Sequence, residues 1–206
     1  GNSGVIVSQF LKGLAETFYN ADDIDGALFI RALESGVKYA YLSVLTPVEG
    51  TMLTVLKDAT EAVKKEFDNT QSVDDIVSSF VYHAKISLNN TPELLPVLKE
   101  NGVVDSGGAG VVYMFEGMQK YFNGEALENN NEKDDETVID YDKFDKNSVF
   151  EFGYCTELLL QLLEGRESFN MDSFRQELSK KGDSLVLTGE GDKVRIHIHT
   201  SASYKV

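Results

Sequence analysis

The stretch SGVIVSQFLKGLAETFY, residues 3–19, indicates the fold class of the first half of the chain. Its apolar residues recur every three or four positions, which is the spacing of one face of an α-helix. We therefore predict a first helix here, on the residues Val5, Ile6, Phe10, Leu11, Leu14, Ala15 and Phe18.

Similar helical patterns follow up to about residue 122, and no strand is predicted before residue 124. Short polar connections separate them, which is typical of a helical bundle or a barrel of antiparallel helices. We predict such a domain for residues 1–123. The expected boundaries are an N-cap at Asp22-Asp23 and a stop at Pro47 for the second helix, Thr51 to Phe67 for the third, Ser72 as the start of the fourth, Pro92 to Gly102 for the fifth and Gly107 to Phe122 for the sixth.

Residues 124–146 form an acidic segment with almost no large apolar side chains. From Glu125 to Lys146 there are nine acids and three lysines, and such a composition does not bury enough surface to offset its chain entropy. We predict a flexible linker. An acidic tail that binds a metal or a partner is the alternative.

Residues 147–206 change to a mixed pattern that predicts a small α+β module. Alternation from Val149 to Tyr154 indicates the start of a strand, and the leucine-rich run 158–163 either prolongs that strand or opens a buried helix. A helix is expected from Asp172 to Lys181, closing on Gly182. The final element is a hairpin of residues 184–188 and 193–200.

Composition excludes several classes of protein. A formal net charge of −15 argues against non-specific nucleic-acid binding, because an acidic surface releases no counterions from a polyanion. No apolar run reaches the ~18–20 residues of a transmembrane helix, and the first residues lack the basic flank of a signal peptide. The single cysteine, Cys155, excludes an internal disulfide framework. We expect a cytoplasmic location.

Three glycine-rich breaks precede predicted helices and are candidate nucleotide sites. Backbone amides in such a turn, next to a helix N-terminus, form a ready anion site. Ordinary helix capping is the alternative at each break, and close helix packing is a further alternative at the third. The breaks are Gly1-Asn2-Ser3-Gly4, Pro47-Val48-Glu49-Gly50-Thr51-Met52 and Asp105-Ser106-Gly107-Gly108-Ala109-Gly110.

The one cysteine and two of the three histidines fall in the α+β module. In the alternating run 195–200, His197 and His199 project from the same face of a strand. Together with Cys155 they form a donor set suited to Zn²⁺. The alternative is a solvated strand face beside a structural thiol. His83, alone on a helix, is interpreted as an ordinary helix-surface or core residue.

Several strings, in this order, resemble the ATP-binding domain of the dihydroxyacetone-kinase-like family and, more narrowly, the ATP-binding component of bacterial fatty acid kinase. The resemblance covers the chain except for the linker. It is carried by GNSGVIVSQ at 1–9, PVEGTMLTV at 47–55, LLPVLKENGVVDSGG at 94–108, FGYCTE at 152–157, GDSLV at 182–186 and HIHT at 197–200.

This resemblance implies a helical barrel that binds ATP with Mg²⁺ and transfers phosphate to a fatty acid, giving an acyl phosphate. A DegV-like lipid-binding protein would present the fatty acid, and a homodimer stays open as an assembly. The resemblance places Asn2 and Ser3, within the turn Gly1 to Gly4, at the phosphates and Thr51 and Met52 near the nucleotide. Asp105-Ser106-Gly107-Gly108 would close the pocket, while Cys155, His197 and His199 match positions associated with a metal and with activity.

The resemblance also implies features that this chain does not carry. The family's magnesium-binding aspartates precede its Gly-Asn-Ser-Gly turn, and a further domain follows its middle domain, so we expect both domains here to be partial and the chain alone to have little or no kinase activity. The catalytic residues are therefore not assigned. Two alternatives stay open: a non-catalytic sensor of nucleotide or metal, and a protein-interaction module on the same fold.

Overall fold

The computed structural model describes residues 2–68, 70–125, 153–163 and 169–206. Helices form the first part, and three strands with one helix form the second. The predicted class, a helical domain followed by a small α+β module, is confirmed. The elements are α1 (Asn2–Phe18), α2 (Gly26–Leu42), α3 (Met52–Glu66), α4 (Val73–Leu94), α5 (Pro96–Asn101), α6 (Ser106–Phe122), β1 (Tyr154–Gln161), α7 (Met171–Ser179), β2 (Asp183–Glu190) and β3 (Lys193–Thr200).

Helix starts in the first part follow side-chain capping. Thr51 caps α3 as predicted, and Ser72 caps α4 in a reciprocal capping box with Asp75. The prediction for α2 was wrong by one turn: Asp25, rather than Asp22-Asp23, accepts the hydrogen bond from the Leu28 backbone N–H at 2.7 Å. An Asp is favoured at this position wherever its carboxylate can reach the amide three residues on.

The predicted start of the fifth helix at Pro92 was also wrong. Pro92 lies inside α4, and Pro96 begins α5, which ends at Gly102 as expected. A proline within a helix leaves the carbonyl four residues earlier without its donor. Here that carbonyl belongs to Leu88, and the Thr91 hydroxyl donates to it at 2.7 Å. This bond explains how α4 continues past the proline.

The helical core is built around three phenylalanines that are each at most 1% exposed. The ring of Phe115 stacks on Phe80 at 4.0 Å between centroids and meets Phe10 edge-on at 6.2 Å. Helices α1 and α2 cross at Gly13 and Gly36, where a Cβ on Gly13 would lie 2.6 Å from the Gly36 Cα. The core therefore depends on a close backbone contact between these two helices.

The second part is an antiparallel sheet in the order β1-β3-β2, with α7 on one face. The leucine run belongs to β1, because Leu158 and Leu160 pack towards the α7 side while Leu159 is 62% exposed on the other face. Helix α7 is capped at Lys180, so Gly182 does not close it as predicted. A Cβ on Gly182 would lie 1.9 Å from the His199 carbonyl oxygen, which is the physical reason for glycine there.

The two parts meet through the connection between α2 and α3. The Leu45 backbone N–H donates to the Leu185 carbonyl at 3.4 Å, and Val44 forms an isolated bridge with Val186. Within the described ranges, no helix combines the length and apolarity needed to cross a bilayer. The predicted linker 124–146 beyond residue 125, and the predicted strand start at 149–152, lie outside the described residues.

Candidate functional site

The N-termini of α1, α3 and α6 converge on one cleft of about 580 Å³. Each helix N-terminus presents unpaired backbone N–H groups and the positive end of a helix dipole. Three such termini around one space favour a multiply charged anion such as a phosphate chain. The helical residues that line the cleft include Asn2, Ser3, Ile6, Thr51, Met52, Leu53, Asp105, Ser106 and Gly107.

Two of the predicted site residues hold the helix ends that form the cleft. The Thr51 hydroxyl accepts from the Leu53 backbone N–H at 3.4 Å and donates to the Val48 carbonyl at 2.7 Å. The Asp105 carboxylate accepts from the Gly108 backbone N–H at 2.6 Å. Capping and cleft lining are thus combined in the same side chains, so the two interpretations of these breaks are compatible.

Two glycines of the predicted set lie away from the cleft lining. Gly108 packs between helices, because a Cβ there would lie 2.9 Å from Val55 and 3.1 Å from Leu88. Gly4 lies in the first turn of α1, where an added Cβ would meet no atom within 4 Å. Gly1 lies outside the described residues. The third break therefore serves helix packing at Gly108 and the cleft at Gly107.

Asn2 leaves an unsatisfied polar group at the cleft. Its Oδ1 atom is buried and has no hydrogen-bond partner within the described part of the chain. A buried acceptor without a donor costs roughly 1–3 kcal/mol, so a ligand or a water with an N–H or O–H group here would stabilise the protein. This orphaned acceptor supports a ligand in the cleft.

The α+β module supplies the far wall of the cleft, which the sequence patterns alone did not assign. Asp183, Ser184 and Leu185 line it together with Val186. Ser184 has a φ of 50°, in the left-handed region, within a register shift between β2 and β3. Such backbone strain concentrates at functional sites. The GDSLV string at 182–186 was the one sequence signal for this wall, since it carried part of the resemblance.

The predicted Cys-His-His set is brought together on the sheet face opposite α7. Cys155 on β1 pairs with His199 on β3, and the ligand atoms of Cys155, His197 and His199 all lie within 4.8 Å of one another. The Cys155 Sγ atom is 4.0 Å from His197 Nε2. His197 is only 5% exposed, although the thiol itself is exposed.

Carboxylates orient both imidazole rings. The Glu157 Oε1 atom lies 3.2 Å from His197 Nδ1, and the Asp183 Oδ1 atom lies 3.5 Å from His199 Nδ1. A carboxylate on Nδ1 leaves Nε2 available as a metal ligand. A tetrahedral zinc places its ligand atoms roughly 3.3–3.8 Å apart, so small side-chain movements would complete the geometry. The donor set and its surroundings fit Zn²⁺.

Asp183 connects the two candidate sites. Its carboxylate faces His199, while the residue also lines the cleft between the helix N-termini and the sheet. A side chain shared in this way can transmit a change of position from one site to the other. The cleft and the Cys-His-His cluster are therefore neighbours rather than separate features.

Comparison with known families agrees with both halves of this architecture. Residues 1–120 match the family model described as the DAK2 domain. The chain belongs to the DAK2 domain family. Residues 151–206 match the model of the FakA-like middle domain, the middle domain of fatty acid kinase, so the resemblance drawn from the sequence is confirmed. The protein is thus related to fatty acid kinase, and its DAK2 domain implies nucleotide binding.

Similar chains occur in Staphylococcus aureus. Uncharacterized proteins of strains USA300, N315 and MRSA252 are 38% identical to this chain over 211 residues. The matches cover all of this chain and 38% of each relative's length. This DAK2 chain thus corresponds to a little over a third of these proteins.

Proposed function

We propose that this DAK2 chain is part of an ATP-dependent kinase that phosphorylates the carboxylate of a fatty acid, giving an acyl phosphate. The observation that carries the proposal is the convergence of three helix N-termini, at Asn2, Met52 and Ser106, on one cleft. The cleft volume, about 580 Å³, lies within the usual range for small-molecule sites.

In this proposal the two ends of ATP bind different parts of the cleft. The phosphates take the backbone N–H groups of the helix ends, together with the Ser3 hydroxyl and the Asn2 amide. The base and ribose lie against the apolar side chains of Met52 and Leu53, since methionine adapts well to a flat ring. Asp183 and Ser184 close the cleft from the sheet.

The transfer step needs no general base. A fatty acid carboxyl is ionised at neutral pH, so its oxygen attacks the γ-phosphorus directly, the bond to the β–γ bridging oxygen breaks, and ADP leaves with that electron pair. The obstacle is repulsion between two anions, which positioned positive charge reduces. The helix dipoles of α1, α3 and α6 supply part of that charge.

Magnesium bound to the nucleotide supplies further charge neutralisation in phosphoryl transfer. The described residues of the cleft do not form its site by themselves. Both carboxylates that line the cleft are already engaged, Asp105 in capping α6 and Asp183 with His199. We therefore keep the expectation that the 206-residue chain turns over little ATP on its own.

We propose that Zn²⁺ binds Cys155 Sγ and the Nε2 atoms of His197 and His199. Zinc in this position would link β1 to β3 and hold the sheet face that carries Asp183. Its role, structural or catalytic, follows from whether its removal affects folding or only activity.

A substitution at one N-cap tests the nucleotide site. Thr51→Ala should lower ATP affinity, measured by isothermal titration calorimetry, because it loosens a helix end on the cleft. Ser72→Ala is the matched control, since it removes a hydroxyl N-cap from α4, away from the cleft. Both should lower stability by about 0.5–2 kcal/mol. Equal ATP affinity in the two variants, or no ATP binding by the parent chain, would refute the cleft assignment.

Substitutions in the Cys-His-His cluster test the metal site. The purified protein should contain one zinc per chain by elemental analysis, and His197→Ala or Cys155→Ser should lose it. His83→Ala is the control, because His83, on α4, is held by Glu66 at 2.9 Å and lies outside the cluster. A parent chain that folds normally without metal would reject the zinc assignment.

The substrate presentation is the last part of the proposal. A DegV-like protein would deliver the fatty acid, and acyl phosphate should form only with that protein, ATP and the full-length kinase. A chain that binds nucleotide or zinc in a full-length protein without any phosphoryl transfer would instead be a sensor.

A further inference from the structure

A second cleft, of about 530 Å³, lies between α1 and the sheet face that carries the Cys-His-His cluster. Its α1 wall consists of positions i, i+3, i+4 and i+7 of one helical face, and its other wall comes from all three strands. The lining residues are Val5, Ser8, Gln9 and Lys12 from α1, with Leu159, Thr188, Gly189, Lys193 and Arg195 from the sheet.

This second cleft is cationic in an acidic protein. Lys12, Lys193 and Arg195 line it, and no carboxylate is found among the described residues of its wall. Neither Lys193 nor Arg195 has an ion-pair partner in the part of the chain that the structure describes, although the whole chain carries a net charge of −15. Lys12 has one weak partner, Glu16, at 3.9 Å on the solvent side of α1.

Neutral hydrogen-bonding groups complete the lining. Ser8, Gln9 and Thr188 offer two hydroxyls and one amide, beside the apolar Val5 and Leu159. A single carboxylate would leave most of this positive charge uncompensated. A phosphoryl group carries up to two negative charges and several acceptor oxygens, and it suits the fork of an arginine. We propose that this second cleft binds a phosphoryl group.

The position of the second cleft suggests which phosphoryl compound it serves. Arg195 precedes His197 by two residues on the same face of β3, so the two side chains start about 7 Å apart. The apolar residues at its wall would accept the first carbons of an acyl chain. The ligand would then be the acyl phosphate product, and this last identification, unlike the anion site itself, rests on the proposed function.

Calorimetric titration of the 206-residue chain with inorganic phosphate, acetyl phosphate and acetate tests the site. Phosphate and acetyl phosphate should bind with an affinity that falls as NaCl rises, and acetate should bind at least about tenfold more weakly. Arg195→Gln and Lys193→Gln should each weaken phosphate binding about tenfold, the usual effect of losing one charge-assisted hydrogen bond. Lys180→Gln on the exposed side of α7 is the matched control and should change nothing.

The outcomes separate this site from the nucleotide cleft. Phosphate binding that depends on Arg195 supports the anion site even if ATP does not bind, and a preference for acetyl phosphate over phosphate supports the product assignment. Phosphate binding that is equal in Arg195→Gln and in the parent, or that falls equally in Lys180→Gln, overturns the proposal. Circular dichroism of each variant confirms that the fold is kept.

Discussion

Gly13→Ala should destabilise the helical domain through the crossing of α1 and α2. The added methyl would lie 2.6 Å from both the Cα and the N of Gly36 and 2.6 Å from the Ser35 carbonyl oxygen. Carbon atoms pack best at about 3.5–4.0 Å, so the two helices would have to separate by roughly 1 Å. All three contacts are with backbone, and no side-chain rotation relieves them.

The size of the effect follows from two opposing terms. Alanine gains about 1 kcal/mol over glycine in a helix interior, while overpacking of this kind costs about 1–3 kcal/mol or more. Separation of α1 from α2 would also disturb Phe10, which packs against Gly36 and Phe115. We expect a net loss of about 1–2 kcal/mol in the free energy of unfolding.

Urea unfolding followed by circular dichroism at the helical band measures this loss. Gly117→Ala in α6 is the control, because an added Cβ there meets no atom within 4 Å and the substitution should stabilise the helix by up to about 1 kcal/mol. The two variants should therefore shift the urea midpoint in opposite directions. A Gly13→Ala midpoint at or above that of the parent would show that the close crossing is absent.

Three further predictions concern pH, backbone strain and metal. Burial raises the pKa of the Glu49 carboxyl, but hydrogen bonds from Thr54 and Lys57 outweigh it and hold this pKa below its ordinary value. Such a group stabilises the fold above its unfolded pKa and loses that effect as pH falls through the folded pKa; Glu49→Gln should thus lower the urea midpoint at pH 7 and have less effect below about pH 4, whereas an equal effect at both pH values would contradict this. Ser184→Gly should raise stability by up to about 1–2 kcal/mol, since it relieves a positive φ, and should lower ATP affinity in calorimetry; unchanged affinity would remove Ser184 from the site. Chelation of zinc should lower the melting temperature of the parent chain and leave that of Cys155→Ser unchanged, in differential scanning calorimetry.

Local signals were sufficient for most of the helical domain. Thr51 and Ser72 were recognised as helix starts because an N-cap acts within three residues of its own position. Pro92 was misassigned because proline alone does not distinguish a helix start from a helix interior. The hydroxyl of Thr91, which compensates for the missing donor, became visible only with the backbone in place.

Long-range features of the sites could be predicted only in part. Alternation in β3 correctly placed His197 and His199 on one face, and the antiparallel register then brought Cys155 opposite His199. No local pattern indicated that residues 182–186 would face the helix N-termini. The partners in that contact, such as Leu45 and Leu185, are far apart in the sequence, and each is an ordinary apolar residue when taken alone.

The wall contributed by residues 182–186 has a consequence for work on the isolated domain. A protein that ends at residue 123 would keep all three helix N-termini and would appear complete as a DAK2 domain. It would nevertheless lack Asp183 and Ser184, and the cleft would be open to solvent on that side. Nucleotide affinities measured on such a protein would understate those of the longer chain, and ligands selected against it would fit a cavity that the longer chain does not present.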